Sequence, residues 1–472
     1  MPIMTEIKFG TDGWRGVIAD DFTFENLRKV VYAIGRYVVR AEDPRRGVLV
    51  GFDNRFRSEH FARAAAETLT ACGFPVWLAD QASPTPAISL LVRQRRAAGG
   101  IMITASHNPA RWNGVKFKAS YGSSALPAIV EQIEKELAAV LRDGVPAIAP
   151  RPELIHSLNV RAPYLETLDK LVDWEKLRAA KLRFLVDPMH GSGRGLLREL
   201  FVRHGVQCEE IRGTRDPQFG GVNPEPIEPH IEPLRVAMRT GRFDAGFCAD
   251  GDADRVGAMD RDGTFINPHQ IFSILLWHLA GTRNIAGDVA KTFSVTKMID
   301  KIAAKYGRTL FEVPVGFKYI CELMLERDIL LGGEESGGIG TKLHLPERDA
   351  TVCSLLLAEV LAWHHKSLGE ILRELHAEFG EYHYGRVDLE LKPGQKEKAL
   401  EYFGNPKLAK FAGFPIVRRE NMDGFKVYLG DAGWLMVRGS GTEPMLRLYA
   451  ETSSADTTRR ILEETAVFVR RL

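Results

Sequence analysis

The chain has 472 residues, of which 45% are hydrophobic and 26% are charged, and its formal net charge is +2. A chain of this length exceeds one ordinary hydrophobic core and predicts roughly three or four domains. The composition excludes disordered, collagen-like and coiled-coil proteins, and the balanced charge argues against nucleic acid or a membrane surface as a partner.

The cysteines and the apolar stretches indicate the compartment. The five cysteines lie far apart and form no Cys-x-x-Cys pair, which argues against a disulfide framework or a zinc site. The most apolar stretch, 271–281, is too short to span a membrane, and the first ten residues lack the pattern of a leader peptide. We therefore expect a cytoplasmic protein.

The predicted elements alternate between strands and helices for most of the chain. Three apolar runs that predict buried strands end at Asp53, Asp187 and Asp250, each followed by a turn. Ahead of the first of these strands, apolar residues at helical spacing over 27–38 predict an amphipathic helix. This alternation predicts an α/β fold with parallel or mixed sheets covered on both faces.

The C-terminal part of the chain has a different pattern. The segments FKVYL, AGWLMVRG and MLRLYAE predict short strands joined by tight turns. A capping-box pattern, Ser453-x-x-Asp456, predicts the start of a final helix. We expect a small α+β domain here.

The first polar motif is TASHNP at 104–109, followed by NGVKFK at 113–118. It predicts that Ser106 lies on a loop at the end of a strand, where open α/β sheets usually bind ligands. An isolated Ser-His-Asn-Pro is more often a capped turn. His107 is not automatically a base for Ser106, because neighbouring side chains on an extended segment point in opposite directions. Lys116 could stabilise a phosphate or carry a proton.

The second motif, DGDADR at 250–255, spaces three carboxylates two residues apart, so that Asp250, Asp252 and Asp254 point toward one place. Each pair at 4 Å would repel by about 4 kcal/mol at an effective dielectric constant of 20, which calls for a divalent cation or several basic groups. Oxygen ligands favour Mg²⁺, Mn²⁺ or Ca²⁺ over zinc. A solvated acidic loop is the alternative.

Two further motifs suit a sugar and a phosphate. GGEESGG at 332–338 offers carboxylates and a hydroxyl to vicinal sugar hydroxyls, although such a string is often a surface loop. RGSGTEPMLR at 438–447 offers hydroxyls, backbone N–H groups and two arginines to a phosphate, with a plain hairpin turn as the alternative.

Taken in this order, together with FGTDGWRG at 9–16, KTFSVT at 291–296, VPVGFK at 313–318 and HLPERD at 344–349, these motifs resemble the α-D-phosphohexomutase family, which includes phosphoglucomutases and phosphomannomutases. The resemblance implies four domains around a central cleft: three related α/β units with mixed sheets and a smaller α+β C-terminal domain. We expect them at 1–150 with the phosphoserine loop, 151–260 with the metal loop, 261–379 with the sugar loop and 380–472 with the phosphate loop.

The resemblance also implies the roles of individual residues. Ser106 would be the phosphorylated residue and would hold Mg²⁺ together with Asp250, Asp252 and Asp254. The other expected catalytic residues are Arg15, His107, Lys116 and Arg255. The expected substrate-binding residues are Lys291, Glu334, Ser336, Arg438, Ser440, Gly441, Thr442 and Arg447.

One position departs from the family pattern. Many bacterial members end the sugar loop in Ser-Gly-His, whereas Gly338 stands here at the histidine position. An acid/base role of that histidine cannot be transferred, and His344 is a candidate replacement, although a lone histidine is more often an ordinary polar contact.

The implied activity is an isomerase that interconverts hexose 1-phosphate and hexose 6-phosphate through a hexose 1,6-bisphosphate, which is both intermediate and activator. The Glu-Glu-Ser form of the sugar loop resembles the glucose-preferring branch; a mannose or dual-specificity enzyme is the alternative. A metal-dependent sugar phosphatase and a silent sugar-phosphate binding protein are more distant readings. The partners are small sugar phosphates, and the chain could be a monomer or a homodimer.

Overall fold

The computed structural model describes residues 7–9, 13–146, 149–439 and 445–472. Four sheets of four or more strands follow one another along the chain, each with its own helices. The predicted α/β architecture with a smaller antiparallel domain at the C-terminus is confirmed. None of the described helices is long and apolar enough to cross a bilayer.

The first sheet has seven strands in the order β1-β5-β4-β2-β3-β7, with β6 beside β5. Strands β2, β3, β4 and β7 are parallel, and β1 and β5 run antiparallel to their neighbours. Its elements are β1 (Trp14–Val17), α1 (Phe24–Ala41), β2 (Val48–Phe52), α2 (Ser58–Ala71), β3 (Val76–Ala79), α3 (Thr85–Arg95), β4 (Gly99–Ile103), β5 (Trp112–Ala119), β6 (Ser123–Ser124), α4 (Pro127–Asp143) and β7 (Ile155–Leu158).

Helix α1 has the amphipathic character that the spacing predicts. It begins after Thr23, whose side chain accepts a hydrogen bond from the backbone N–H of Asn26. The apolar face, including Leu27, Val30 and Ile34, is fully buried in the core of the first unit.

The second sheet has the order β12-β11-β10-β8-β9, with β9, β8 and β10 parallel and the hairpin β10–β11 at its centre. The metal-loop motif forms the turn of this hairpin. The elements are α5 (Arg161–Leu168), α6 (Trp174–Ala179), β8 (Arg183–Asp187), α7 (Leu196–Arg203), β9 (Gln207–Glu210), α8 (Glu232–Met238), β10 (Ala245–Ala249), β11 (Val256–Asp260) and β12 (Phe265–Ile266).

The third sheet has the order β14-β13-β15-β16, with only β16 antiparallel. Helix α12 is buried along almost its whole length because it packs between this unit and the second one. The elements are α9 (Pro268–Trp277), β13 (Asp288–Thr292), α10 (Met298–Lys305), β14 (Leu310–Val313), α11 (Phe317–Glu326), β15 (Ile329–Gly333), β16 (Ile339–Thr341), α12 (Ala350–His364) and α13 (Leu368–Phe379), with a π-helical turn at His278–Thr282.

The fourth sheet is antiparallel throughout, in the order β17-β23-β22-β21-β20. The three predicted short strands are β21, β22 and β23. The elements are β17 (His383–Glu390), α14 (Gln395–Gly404), the hairpin β18 (Lys410–Phe411) and β19 (Phe414–Pro415), β20 (Arg418–Glu420), β21 (Phe425–Tyr428), β22 (Gly433–Gly439), β23 (Met445–Thr452) and α15 (Ala455–Arg471).

Two details differ from the sequence-based expectations. Strand β7 pairs with β3 in the first sheet and β12 pairs with β11 in the second, so both lie beyond the domain borders expected at 150 and 260. Helix α15 is capped by Ser454, one residue after the predicted Ser453, because the Ser454 hydroxyl accepts the hydrogen bond from Thr457 N–H.

Candidate active site

Ser106 lies on the loop that follows β4, at the carboxyl end of that strand. Its backbone has a positive φ of 52°, which is unusual for a residue with a side chain. The residue is 1% exposed, and its hydroxyl donates a hydrogen bond of 2.6 Å to Asp250 Oδ2, on the second unit. The structure thus joins the serine loop and the metal loop across the junction of two units.

His107 lies closer to Ser106 than an extended segment would allow. Its Nδ1 is 3.4 Å from the Ser106 hydroxyl, because the positive φ at Ser106 turns the chain and brings the two side chains to the same side. Burial lowers the pKa of His107 well below its usual value, and the positive charges of Arg255 and Arg15 lower it further.

The serine loop is held in place by Arg55, a residue that the sequence analysis did not single out. Arg55 is completely buried and forms an ion pair of 3.1 Å with Asp53, at the end of β2. Its guanidinium donates hydrogen bonds to the carbonyls of Ser106, Asn108 and Pro109 and to that of Trp112. A buried arginine that donates to four backbone carbonyls fixes the shape of the loop.

Asp250, Asp252 and Asp254 form one buried cluster at the turn between β10 and β11. They are at most 1% exposed, and each offers an oxygen within 4.8 Å of the oxygens of the other two. Burial raises the pKa of Asp250 well above its usual value, and the charges of the two other aspartates raise it further. For Asp252, burial acts in the same direction, but the ion pair with Lys116 and the hydrogen bond from Thr85 outweigh it together and lower the pKa.

The aspartate cluster fits a divalent cation. Within the described part of the chain, Asp252 Oδ1 and Asp254 Oδ1 are buried and accept no hydrogen bond. Buried carboxylate oxygens without a donor are costly unless a cation binds them, and an all-oxygen set suits a hard ion such as Mg²⁺. The Ser106 hydroxyl, which donates to Asp250, brings a fourth oxygen to the same place.

Two cations already lie against this cluster. Lys116 Nζ, on β5, donates to Asp252 Oδ2 at 2.8 Å and to Asp254 Oδ2 at 2.9 Å. Arg348 Nη2 donates to the same Asp254 oxygen at 2.8 Å. The close approach of the carboxylates is therefore stabilised from two sides by charge-assisted hydrogen bonds.

The sugar-loop motif forms the turn between β15 and β16 and lies directly beside the metal loop. Val256 N–H donates to the Gly337 carbonyl at 3.1 Å, so the two turns share a backbone hydrogen bond. Glu334 is 6% exposed, and burial raises the pKa of its carboxyl to about 7, although the neighbouring Arg348 acts in the opposite direction. Ser336 lies on the same turn and is partly exposed.

Arg348, not His344, is the side chain next to Gly338. A Cβ on Gly338 would overlap the Cδ of Arg348 and lie 2.9 Å from the Glu334 carboxylate. Arg348 Nη1 donates to Glu334 at 3.3 Å. His344 is instead buried against Tyr164, with its Nε2 at 3.3 Å from Asp349. Sequence reasoning missed Arg348 although it lies in HLPERD, because only the histidine of that motif was considered.

The remaining predicted residues of the first three units differ in whether they contact the serine and metal loops. Arg15, on β1, donates to the Asn108 side chain of the serine loop. Arg255 Nε lies 4.0 Å from Asp254 Oδ1. Lys291 is fully buried in β13, where it forms an ion pair with Asp300 and lies 3.4 Å from Glu312. The described contacts of Lys291 thus belong to the third unit.

The predicted phosphate loop connects β22 and β23. Arg438 is at the end of β22 and pairs with Arg447 across the sheet, on the same face. Arg447 Nε lies 3.7 Å from Asp388. Ser440, Gly441 and Thr442 fall outside the described residues, as do 10–12 of the FGTDGWRG motif.

The arrangement combines a buried hydroxyl, three carboxylates, two of which have an oxygen that accepts no hydrogen bond, and several fixed cations. Such a site can hold a metal ion next to an anionic group on the serine and can neutralise the charge of a phosphoryl group in transfer. The adjacent turn offers a carboxylate to a neutral polar ligand.

Comparison with known proteins points to the same chemistry. Four family models match the chain: the α/β/α domains I, II and III of phosphoglucomutase/phosphomannomutase at 6–142, 162–263 and 267–379, and the C-terminal domain at 402–467. A phosphoglucosamine mutase of Marinobacter nauticus is 30% identical over 99% of both chains. A phosphoglucomutase/phosphomannomutase of Thermococcus kodakarensis is 29% identical over 96% of both chains.

The solved structures agree in fold. A protein of Thermus thermophilus, provisionally identified as a phosphomannomutase, superposes with a TM-score of 0.86 at 34% identity, over 99% of this chain and 100% of that one. A Burkholderia thailandensis member of the phosphoglucomutase/phosphomannomutase family superposes with a TM-score of 0.81 at 21% identity, over 98% of this chain and 96% of that one.

Proposed function

Because the chain belongs to the α-D-phosphohexomutase family and is an isomerase of the intramolecular phosphotransferase type, we propose that it interconverts glucose 1-phosphate and glucose 6-phosphate. The observation that carries this proposal is the hydrogen bond from the Ser106 hydroxyl to Asp250, within a buried cluster that has free carboxylate oxygens. A nucleophile at a metal site of this kind suits phosphoryl transfer.

In the proposed reaction, the 6-oxygen of glucose 1-phosphate bonds to the phosphorus of phospho-Ser106 as the bond from the serine oxygen to phosphorus breaks. The proton of the 6-hydroxyl passes to the Ser106 oxygen, and the product is the 1,6-bisphosphate. The bisphosphate then reorients, and the Ser106 oxygen takes the 1-phosphoryl group while its proton passes to the 1-oxygen of the sugar, which releases glucose 6-phosphate. The three aspartates and the serine phosphate would hold Mg²⁺, which when bound would supply neutralising charge to the phosphoryl oxygens. Lys116 and Arg348 keep the aspartates in place.

Four groups outside the metal cluster support the binding part of the proposal. Glu334 and Ser336 would accept and donate hydrogen bonds to the sugar hydroxyls. Arg438 and Arg447, on one face of the fourth sheet, would hold the phosphate that is not reacting. Two separate binding regions favour a mutase over a phosphatase, since hydrolysis does not require a sugar to bind in two orientations.

The choice of glucose rests on the Glu-Glu-Ser form of the sugar loop. Relatives of similar identity include enzymes described as phosphoglucomutase, phosphoglucosamine mutase and phosphoglucomutase/phosphomannomutase. Coupled assays with the 1-phosphates of glucose, mannose and glucosamine, each with a trace of its bisphosphate, test the proposal. We expect the highest kcat/KM with glucose 1-phosphate. A clear preference for the glucosamine or mannose phosphate would overturn the choice of glucose as substrate. Phosphate release without isomerisation would show that the enzyme is a phosphatase.

A further inference from the structure

Asp423 connects the proposed phosphate site to the third unit. This residue lies in the turn between β20 and β21, and its side chain is 24% exposed. Its Oδ1 accepts a hydrogen bond of 2.9 Å from Arg438 Nε, and its Oδ2 accepts one of 2.9 Å from the backbone N–H of Val315. One carboxylate thus contacts both a phosphate-site arginine and a loop of another unit.

The position of Asp423 beside Arg438 is fixed by the backbone. Gly424, the next residue, has a φ of 83°, and a Cβ there would lie 3.0 Å from the Arg438 Cα and 3.1 Å from the Arg438 Cβ. Only glycine permits this close approach of the turn to β22. The carboxylate therefore reaches Arg438 without depending on a flexible loop.

The way in which Asp423 contacts Arg438 orients the guanidinium. Because the carboxylate accepts from Nε, the edge formed by the two Nη groups points away from it, and that edge can make paired hydrogen bonds with a phosphate. A cavity of about 380 Å³ beside the pair, lined also by Lys396, Asn421 and Phe425, provides room for a ligand group. Burial lowers the pKa of Arg438, but the Asp423 carboxylate, with smaller contributions from Tyr449 and Glu335, outweighs burial, and the pKa of Arg438 is raised.

The second contact of Asp423 involves the VPVGFK segment, to which the proposed reaction gives no role. Val315 lies in the turn between β14 and α11, and its side chain packs against an aromatic cluster that joins the third and fourth units. That cluster contains Phe293 from the third unit and Trp434 and Tyr449 from the fourth. Asp423 therefore lies where the fourth domain meets the third.

We propose that Asp423 is a positioning residue for the phosphate that is not reacting. It orients the Arg438 guanidinium, and through its contact with Val315 it holds that arginine at a fixed place relative to the third domain. The inference rests on the proposed function, because it takes Arg438 to be a phosphate ligand. A purely structural turn would support the fold of the fourth domain without affecting phosphate binding through Arg438.

The test is the Asp423→Asn variant. It keeps the size of the side chain and an oxygen that can accept from Val315 N–H, but it removes the negative charge that faces the Arg438 guanidinium. Calorimetry would measure the Kd of glucose 6-phosphate in the presence of Mg²⁺, and steady-state assays would measure KM and kcat. We expect the Kd and KM to rise about tenfold, as for the loss of one charge-assisted contact, with a smaller change in kcat. The matched control is Asp431→Asn, an exposed carboxylate of the same domain, which should bind as the parent does.

A double-mutant cycle separates positioning from a structural role. If Asp423 acts through Arg438, Asp423→Asn should change the Kd little further in an Arg438→Ala background. A parent-like Kd in Asp423→Asn, or the same loss in both backgrounds, would overturn the inference. Because the Kd does not require turnover, a parent that binds the sugar phosphate without isomerising any hexose phosphate would refute the proposed function alone. A parent that does not bind it would refute both.

Discussion

Arg348 fills the space beside Gly338 that a side chain at position 338 would need, since a Cβ there would overlap the Arg348 Cδ. From this place the guanidinium reaches Glu334 on the sugar loop, at 3.3 Å, and Asp254 on the metal loop, at 2.8 Å. Arg348 brings positive charge to the place where the sugar and metal loops meet.

This relationship predicts that Gly338→Ala damages the site through Arg348. The added methyl group would push the arginine away from Glu334 and Asp254, so kcat/KM should fall on the order of tenfold or more. In an Arg348→Ala background the same substitution should have little further effect, because the clash is gone. Equal losses in both backgrounds, with unchanged circular dichroism, would show that position 338 acts independently of Arg348.

Ser106→Ala should abolish transfer and leave the fold intact. A single loop hydroxyl contributes little to stability, whereas the proposed reaction has no other phosphoryl carrier. The measurement is isomerase activity beside thermal unfolding, with Ser120→Ala, at a partly exposed position of the same unit, as the control. Intact mass and peptide mapping of the parent should place a phosphate on Ser106; activity of the variant within tenfold of the parent would contradict the mechanism.

Removal of divalent metal should inactivate the enzyme. The buried oxygens of Asp250, Asp252 and Asp254 suit a hard cation, so activity lost to EDTA should return with Mg²⁺ and not with Zn²⁺. Activity assays after chelation and dialysis, with stepwise return of each ion, check this. Full activity after exhaustive chelation would show that the cluster is not a metal site.

Arg438→Ala should weaken both directions of the reaction and let the bisphosphate escape. Charge-assisted phosphate contacts are worth about 1.5–3 kcal/mol, so kcat/KM should fall roughly 10- to 150-fold while Ser106 can still be phosphorylated. Arg419→Ala, an exposed position on β20 of the same sheet, is the matched control. Parent-like kinetics with glucose 1-phosphate, and no added release of bisphosphate, would show that the loop between β22 and β23 is a structural turn and does not bind the phosphate.

Lys426 should make stability depend on pH. It is fully buried on β21, where its Nζ donates to the Phe293 carbonyl at 2.7 Å and lies 4.2 Å from the centre of the Trp434 ring. Burial lowers the pKa of Lys426 to about 7, against an ordinary 10.5 in the unfolded chain. Between these two pKa values the unfolded state binds more protons than the folded state, so the free energy of unfolding rises with pH from about 7 to about 10. Below about pH 7 both states are protonated, and the contribution of Lys426 no longer changes with pH.

The comparison is with Lys426→Met, which cannot titrate. The free energy of unfolding of the parent relative to the variant should increase by about 2–4 kcal/mol between pH 7 and pH 10. Calorimetric unfolding of both proteins across this range measures the difference. Parallel pH profiles would mean that Lys426 keeps an ordinary pKa in the folded protein.

The sequence was sufficient for the fold class and for the chemical character of the site. The apolar runs before Asp53, Asp187 and Asp250 predict β2, β8 and β10, because a strand buried on both faces requires continuous apolar residues. The spacing of the three aspartates within six residues likewise predicts their convergence, since local backbone geometry brings them together.

The tertiary structure alone decided which distant side chains support these motifs. Arg55 donates to the serine loop, Arg348 lies beside Gly338, and Asp423 accepts a hydrogen bond from Arg438. Each contact joins residues from different elements, and no periodicity or spacing in the sequence encodes it. The approach of His107 to Ser106 depends on one positive φ, which the surrounding loop imposes. Local patterns determine what a segment can form and which chemistry it carries, whereas the packing of helices, strands and loops against one another, within each unit and between units, determines which charged side chains lie side by side.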